Sequence, residues 1–565
     1  MGKVEFMGFP AYPLASYGDH DNSFSPMTRL MQILGGMILA LLIGACQRET
    51  QLQKANREKI LLVGNSSEPK ALDLQLVTSV VENKVISSLF EGLVADHPQS
   101  DTEMSPGVAE RWEHNEDYTR WIFHLRKEAK WSDGAPLTAH DFAFAYHRML
   151  HPDFPAPYVE MLYFLKNAQE FNTRKIADFH EVGVKVLDDH KLELTMKEPV
   201  AYLPGVTRHF TWFPVPKHVV LRYGEMTKPF TPWTEVGNLV GNGPFTLSSW
   251  QLNDHIEVRK NHQYWNAAHV KLNGIRFLPV ENAYTETRAF LAGQLHTTYR
   301  LPTDMVEKIK QDHPEFVKQE PYIGSQFMRT NVTRAGLDNH KVRMALSLAL
   351  DANSLCKTLL SGYEPATSYT PNLGDYRPEP VVTFDPQKAR QLLAEAGYPQ
   401  GKGFPRYSIL IASGGARAVS EAVQAMWKEH LGLIFEIRQM DFASYIDAQH
   451  KLDFDISLAG WSGDYLDPTT FLLMWTKGNG NNNTGWHSEE YERLLSEAAH
   501  SSDPAQRLRI FEKAEKLLMD ERPILPFAWQ SRNYLHHPSV QGWHPLLLDN
   551  HPWGAVSLEE KNPKP

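Results

Sequence analysis

A chain of 565 residues is longer than a single hydrophobic core supports, so two or three domains are expected, with enough apolar material for large interiors. Its formal charge of −10, with acidic and basic residues interspersed and no long basic block, argues against nucleic acid or an anionic membrane surface as the main partner. Its two cysteines, Cys46 and Cys356, exclude a disulfide-rich scaffold and any cysteine cluster for zinc or iron–sulfur.

Residues 30–45 are almost wholly apolar and uncharged, follow Arg29 and end in Ile43, Gly44, Ala45 and Cys46. This pattern resembles a bacterial lipoprotein signal with its lipobox, and the run is short for a membrane span. The resemblance implies cleavage before Cys46, lipidation of that residue and a flexible polar tether over 47–58. An uncleaved anchor helix is the alternative, and both place the mature domain outside the cytoplasm. Residues 1–26 carry Asp19, Asp21 and several aromatics, unlike a signal n-region, so translation is expected to start at Met27. Gln47 is the kind of residue that goes with outer-membrane sorting in Gram-negative lipoproteins.

From residue 59 short strands alternate with helices, without repeats or low-complexity segments, which points to α/β architecture. Residues 59–63 (KILLV) suit a buried strand, and 119–125 (TRWIFHL) alternate at period two. Thr138 is expected to cap a helix carrying Phe142 and Tyr146 inward. After Asp338, the residues Val342, Ala345, Leu346 and Ala349 fall at i, i+3, i+4 and i+7, one buried helical face. Asp385 and Pro386 start a further helix that Gly397 closes. Asp503 and Pro504, with Gln506 three residues after the cap, start another with Ile510, Ala514 and Leu517 inward.

Residues 455–470 (DISLAGWSGDYLDPTT) read as an apolar strand, then Trp461, then Asp464 in a turn before Pro468. A compact anion at a strand end suits an α-ammonium group, an attraction on the order of 4 kcal/mol at intermediate dielectric before desolvation is subtracted. A turn aspartate bonded to its own backbone is the alternative. Trp461 either walls a ligand pocket or lies in the core behind the strand. Tyr465 falls on the opposite face if the strand continues, and Tyr322 and Trp486 read as structural.

Residues 109–149 (AERWEHNEDYTRWIFHLRKEAKWSDGAPLTAHDFAFAYHRM) resemble the signature region of the extracellular solute-binding proteins of peptide, dipeptide and nickel ABC importers, family 5. Gly241 to Phe245 with Tyr264, Trp265 and Asn266, then residues 338–351, 384–398 and 455–470, resemble later family segments in family order. Around AGWSGDY the pattern is most similar to the oligopeptide-binding branch. The resemblance implies an α/β, two-lobed periplasmic-binding-protein fold (class II, cluster C) with an extra inserted domain. Lobe I would be 59–90, 205–322 and 533–565, the inserted domain 91–204, and lobe II 323–532, with two extended crossovers as hinge.

The function implied is capture of oligopeptides between the lobes and delivery to an ABC permease by a monomeric protein, lipid-anchored through Cys46 in the periplasm or cell envelope. No cofactor, metal or catalytic residue is implied. Ligand contacts fall on Asp464, Trp461, Gly460 and Ser462, with residues 457–462 as one extended edge. Residues 79–81, with Ser79 and Val80, would form a second edge, or else a loop before a helix. Backbone pairing gives affinity without choosing sequence. In this branch arginines just before the tryptophan segment receive the peptide carboxylate, whereas the matching positions here are Gln449 and Leu458, so another cation, water or no fixed group takes that end. Arg377, Arg406 and Arg417 read as solvated surface charges. Ser462 stands where some relatives have a disulfide cysteine, which leaves Cys356 as a buried apolar residue.

Other classes have weaker support. Residues 460–464 evoke a nucleophile elbow, but Asp464 replaces its final glycine. Asp464 and Asp467 as a glycosidase pair lack positional support. With 25 histidines there is still no H-E-x-x-H, and His536 with His537 reads as a surface pair. A peptide or cell-wall-peptide sensor or chaperone without transport, and a nickel- or haem-binding relative, remain alternatives.

Overall fold

The computed structural model describes residues 49–559 apart from 414, 415 and 502. The expectations for Cys46 and for residues 1–46 lie outside the described residues. Part of the expected tether is ordered instead: Gln51–Glu58 is a helix, with Leu52 and Ala55 buried one turn apart. The Leu52 N–H donates to the Gly293 carbonyl at 3.1 Å, and Ala55 packs with Ile60 and Leu62. Two apolar residues at helical spacing suffice to dock an otherwise polar segment.

Strand Ile60–Gly64 is buried throughout and pairs in parallel with Gly274–Leu278, as an unbroken apolar run predicts. Strands His255–Lys260 and Phe245–Gln251 complete a four-stranded sheet. A second four-stranded sheet lies within 109–195, ordered Ala109–His114, Arg120–Leu125, Lys191–Thr195, Val184–Asp188, and is antiparallel throughout. Helix Ala139–Leu150 buries Phe142 and Tyr146, and Asp141 accepts from the Thr138 N–H at 2.9 Å, the reciprocal half of a capping box. One continuous core joins both sheets.

A six-stranded sheet runs Glu364–Pro365, Ile524–Leu535, Val317–Thr330, Ile456–Ser462, Tyr407–Ala412, Phe435–Met440. Its last three strands are mutually parallel, linked by helices Ala416–Leu431 and Phe442–His450, as parallel neighbours require. Separate cores lie on its two faces. The expected crossovers, at 322–323 and 532–533, fall on two long strands. Val317–Thr330 and Ile524–Leu535 pair from Val317↔Leu535 to Pro321↔Ser531, lose register, and resume at Ser325↔Trp529. Their far ends reach the first sheet through the bridges Val63↔Thr297 and Thr297↔His536.

Helix His340–Leu348 buries Val342, Ala345 and Leu346. Asp385 Oδ1 accepts from the Lys388 N–H at 2.9 Å at the start of Pro386–Glu395, and Gly397 takes φ +95° past its end, a position that favours glycine. In Pro504–Glu521 the inward face is Ile510, Phe511, Ala514 and Leu518. Leu517, expected inside, is half-buried because the face follows i, i+4, i+8.

Candidate cation and backbone-recognition site

Strand Ile456–Ser462 is bordered along its whole length by Val317–Thr330, from Thr330↔Ile456 to Gly324↔Ser462. On its other side Tyr407–Ala412 pairs only with Ile456 and Ser457. The strand therefore has an open edge from Leu458 onward. The Leu458 carbonyl points to that edge, where it accepts from Tyr445 Oη at 2.7 Å. Alternate residues of an antiparallel strand aim both backbone groups to the same side, so Gly460 and Ser462 present N–H and C=O to the open edge. Gly463 points the other way, its N–H donating to Ile323 O at 2.8 Å. Gly460 is exposed and Ser462 half-buried, and Ser462 Oγ donates to Gln530 Oε1 at 3.2 Å.

Beyond the strand, Thr470 of the short helix Thr469–Leu472 pins the turn twice. Its Oγ1 accepts from the Asp464 N–H at 3.0 Å, and its carbonyl accepts from Trp461 Nε1 at 2.8 Å. The Asp464 side chain is free of the local backbone bonds of a turn aspartate: no described donor reaches its carboxylate, and no described cation pairs with it. It faces a cavity of about 400 Å³, lined also by Tyr158, Glu160, Trp461, Met474 and Asn481. Burial pushes the Asp464 carboxyl up to about 7, and the charge of Glu160 acts in the same direction. Burial, with Asp464 and Glu160 adding to it, raises the Tyr158 phenol. An enclosed carboxylate with an anion beside it and no cation is a site that a ligand ammonium completes.

Trp461 both lines this cavity and packs against the core behind the strand, so the two alternatives for it coincide. Tyr465, read as facing away, is buried against Phe164 and Tyr202 and also lines the cavity. Tyr158 and Glu160, at the turn Val159–Leu162, escaped sequence reasoning; they lie some three hundred residues upstream, and no local motif marks them. Asp467 is committed elsewhere: it is buried and binds Arg507 in two-pronged fashion at 2.7 and 2.9 Å, which removes the basis for a glycosidase pair.

At residues 79–81 the structure shows the alternative reading, a segment leading into a helix. Val80 and Val81 open helix Val80–Leu89, and only Ser79, its N-cap, is extended. The Ser79 carbonyl already accepts from the Asn83 N–H at 3.1 Å, and its hydroxyl donates to Glu82. Helical backbone at Val80 cannot extend a sheet. His536 is buried rather than at the surface, and burial pulls its imidazole down to about 3. Among the described residues no group of three His, Cys, Asp or Glu side chains is disposed to hold a metal. Cys356 is buried, and burial pushes its thiol up to about 12. Arg377, Arg406 and Arg417 are exposed.

The family model for bacterial extracellular solute-binding proteins, family 5 Middle, matches residues 103–483. The chain belongs to this family. The periplasmic oligopeptide-binding protein OppA of Salmonella typhimurium is 33% identical over 539 residues, 92% of this chain and 96% of that relative. The periplasmic murein peptide-binding protein MppA of Escherichia coli is 32% identical over 487 residues, 84% and 88% of the respective chains. Among solved structures, Haemophilus influenzae OppA in complex with RPPGFSPFR matches with a TM-score of 0.76 at 30% identity, over 89% of this chain and 99% of that one. As a family 5 solute-binding protein the chain has the two-lobed α/β fold and is a binding protein, not an enzyme. Its relatives are periplasmic or extracellular binding proteins, which agrees with a place in the periplasm or cell envelope.

Proposed function

We propose that this protein captures oligopeptides in the cleft beside strand Ile456–Ser462 and delivers them to an ABC importer, anchored in the envelope through a lipid on Cys46. The observation that carries the reading is the pairing of an open strand edge at Gly460 and Ser462 with the unpaired carboxylate of Asp464 at its end. Asp464 takes the peptide's α-ammonium group, a charge-assisted contact that costs about 2–5 kcal/mol to lose when buried. Gly460 and Ser462 take the peptide backbone as an added strand, worth affinity without sequence preference. Trp461 supplies an apolar wall. Relatives named for oligopeptide and murein-peptide binding support the same ligand class.

Native mass spectrometry of protein purified without denaturation tests this reading. Retained ligands whose masses and fragments are those of peptides are expected. Protein carrying a metal, haem or a non-peptide solute in place of peptides contradicts it.

A further inference from the structure

We propose that Arg329 receives a carboxylate of the bound peptide, at the opposite end of the open edge from Asp464. The inference rests on the peptide reading above and supplies the anion-receiving group that Gln449 and Leu458 do not provide.

Arg329 lies on strand Val317–Thr330 opposite Ser457 and is 5% exposed. Its Nη1 donates to Gln449 Oε1 at 3.0 Å, and Gln449 Nε2 donates to Ser457 Oγ at 2.9 Å. Gln449 belongs to helix Phe442–His450, which also carries Tyr445, the residue that marks the open-edge side by bonding the Leu458 carbonyl. The guanidinium thus reaches under the strand towards the side where the edge opens.

Its electrostatic setting is unlike that of the other buried arginines. Of the six arginines among the buried polar residues, Arg148, Arg208 and Arg507 each bind an aspartate. Arg343 holds backbone carbonyls and the Glu521 carboxylate, and Arg522 holds the carbonyls of Met519 and Val381. Arg329 has a neutral amide and two ring faces, Phe327 and Trp475, at 5.8 and 5.9 Å. Its Nε has no partner, and neither does Nε1 of the neighbouring Trp475. Burial lowers the Arg329 pKa, against a smaller opposing effect of Tyr445 and Tyr369. A buried charge without a counter-ion is strongly unfavourable, and the arrival of an anion relieves it.

Asp464 and Arg329 are therefore two unpaired charges of opposite sign associated with one strand. From Ser457 to Asp464 is seven residues, roughly 23 Å at strand rise, of which the arginine side chain spans about 6 Å. An extended peptide of about five to seven residues bridges that span with its α-carboxylate, and an acidic side chain at the matching depth offers the same chemistry.

Titration calorimetry with hexapeptides, all with free amino ends except one N-acetylated control, separates these sources. The set is a free acid, its C-terminal amide, and glutamate-containing peptides with their glutamine counterparts, measured on the wild type, Arg329→Gln and Gln449→Glu. The wild type is expected to bind at least one carboxylate-bearing peptide tenfold or more tighter than its neutral counterpart; the amide arm identifies the α-carboxylate and the glutamine arm a side chain. Both variants are expected to lose that preference while still discriminating against N-acetylation. Gln449→Glu supplies Arg329 with an internal partner, so its Tm is expected to rise, and it decides the matter if Arg329→Gln fails to fold. A wild type without preference in either arm, or a preference retained in Gln449→Glu, overturns the inference. Absence of binding by every peptide overturns the peptide reading as well, whereas binding that depends on the amino end but not on any carboxylate overturns this inference alone.

Discussion

Tyr202 stacks on Tyr465 with ring centroids 5.7 Å apart and planes 16° from parallel, and the Arg507 guanidinium lies over the Tyr202 ring at 4.7 Å. Tyr465 immediately follows Asp464, so a contact between the segment after the 109–195 sheet and the second lobe sits one residue from the cation site. Such a pair contributes about 1 kcal/mol beyond its buried area. Tyr202→Ala is therefore expected to weaken peptide binding roughly fivefold, mainly through faster release, without altering discrimination against N-acetyl peptides. Stopped-flow release kinetics check this, and an unchanged release rate contradicts it.

The pH dependence follows from the Asp464 carboxyl, held near 7 in the empty cleft by burial and then by Glu160. An ammonium ligand binds the ionised form, so below about pH 7 a proton must leave first and affinity falls by up to about tenfold per unit. Above about pH 8 the peptide amino terminus itself loses its charge. Affinity is expected to peak between pH 7 and 8, and Asp464→Asn to lose the acidic limb. Calorimetry from pH 5 to 9 gives the profile, and a flat response between 5 and 7 is the contrary result.

The same carboxyl bears on stability. Its folded pKa lies above the unfolded value near 4, so its ionised form is disfavoured by folding. That contribution to stability is intact below pH 4 and lost as pH rises to about 7. In the empty protein at pH 8, Asp464→Asn is expected to be more stable by about 1–3 kcal/mol, the gain vanishing near pH 4. Thermal unfolding of ligand-free protein measures this; a lower Tm for the variant at pH 8 contradicts it.

Arg507 and Asp467 form a buried two-pronged ion pair. Arg507→Ala leaves the Asp467 charge unpartnered, so stability is expected to fall by about 3–5 kcal/mol, and adding Asp467→Asn is expected to restore part of it. Denaturant unfolding of the two variants tests the coupling, which is absent if the double variant is no more stable than the single one.

What the sequence revealed were features that depend on neighbours in the chain. The caps at Asp385 and Thr138, the buried run at Ile60–Gly64 and the strand before Asp464 all follow from local spacing. Asp464 stood out because a carboxylate in a turn after an apolar strand is visible in one segment. Its enclosure was not visible, because Tyr158 and Glu160 arrive from another part of the fold. Arg329 carries no local signal in the sequence, and only the register with Ser457 and the contact with Gln449 show its setting. Residues 79–81 stayed open between an edge and a segment before a helix because a β-branched pair suits strand and helix alike, and the docked helix Gln51–Glu58 was missed because two buried residues among six polar ones leave a faint pattern.

The central claim is that Asp464 binds the amino end of a peptide, and the measurement that tests it most directly is calorimetry of one peptide with free and acetylated amino ends on the wild type and Asp464→Asn. The account predicts a loss of about 2–5 kcal/mol on acetylation of the wild-type ligand and little further loss when acetylation and substitution are combined, since both remove the same contact. Equal affinity of the wild type for the free and acetylated peptides contradicts it.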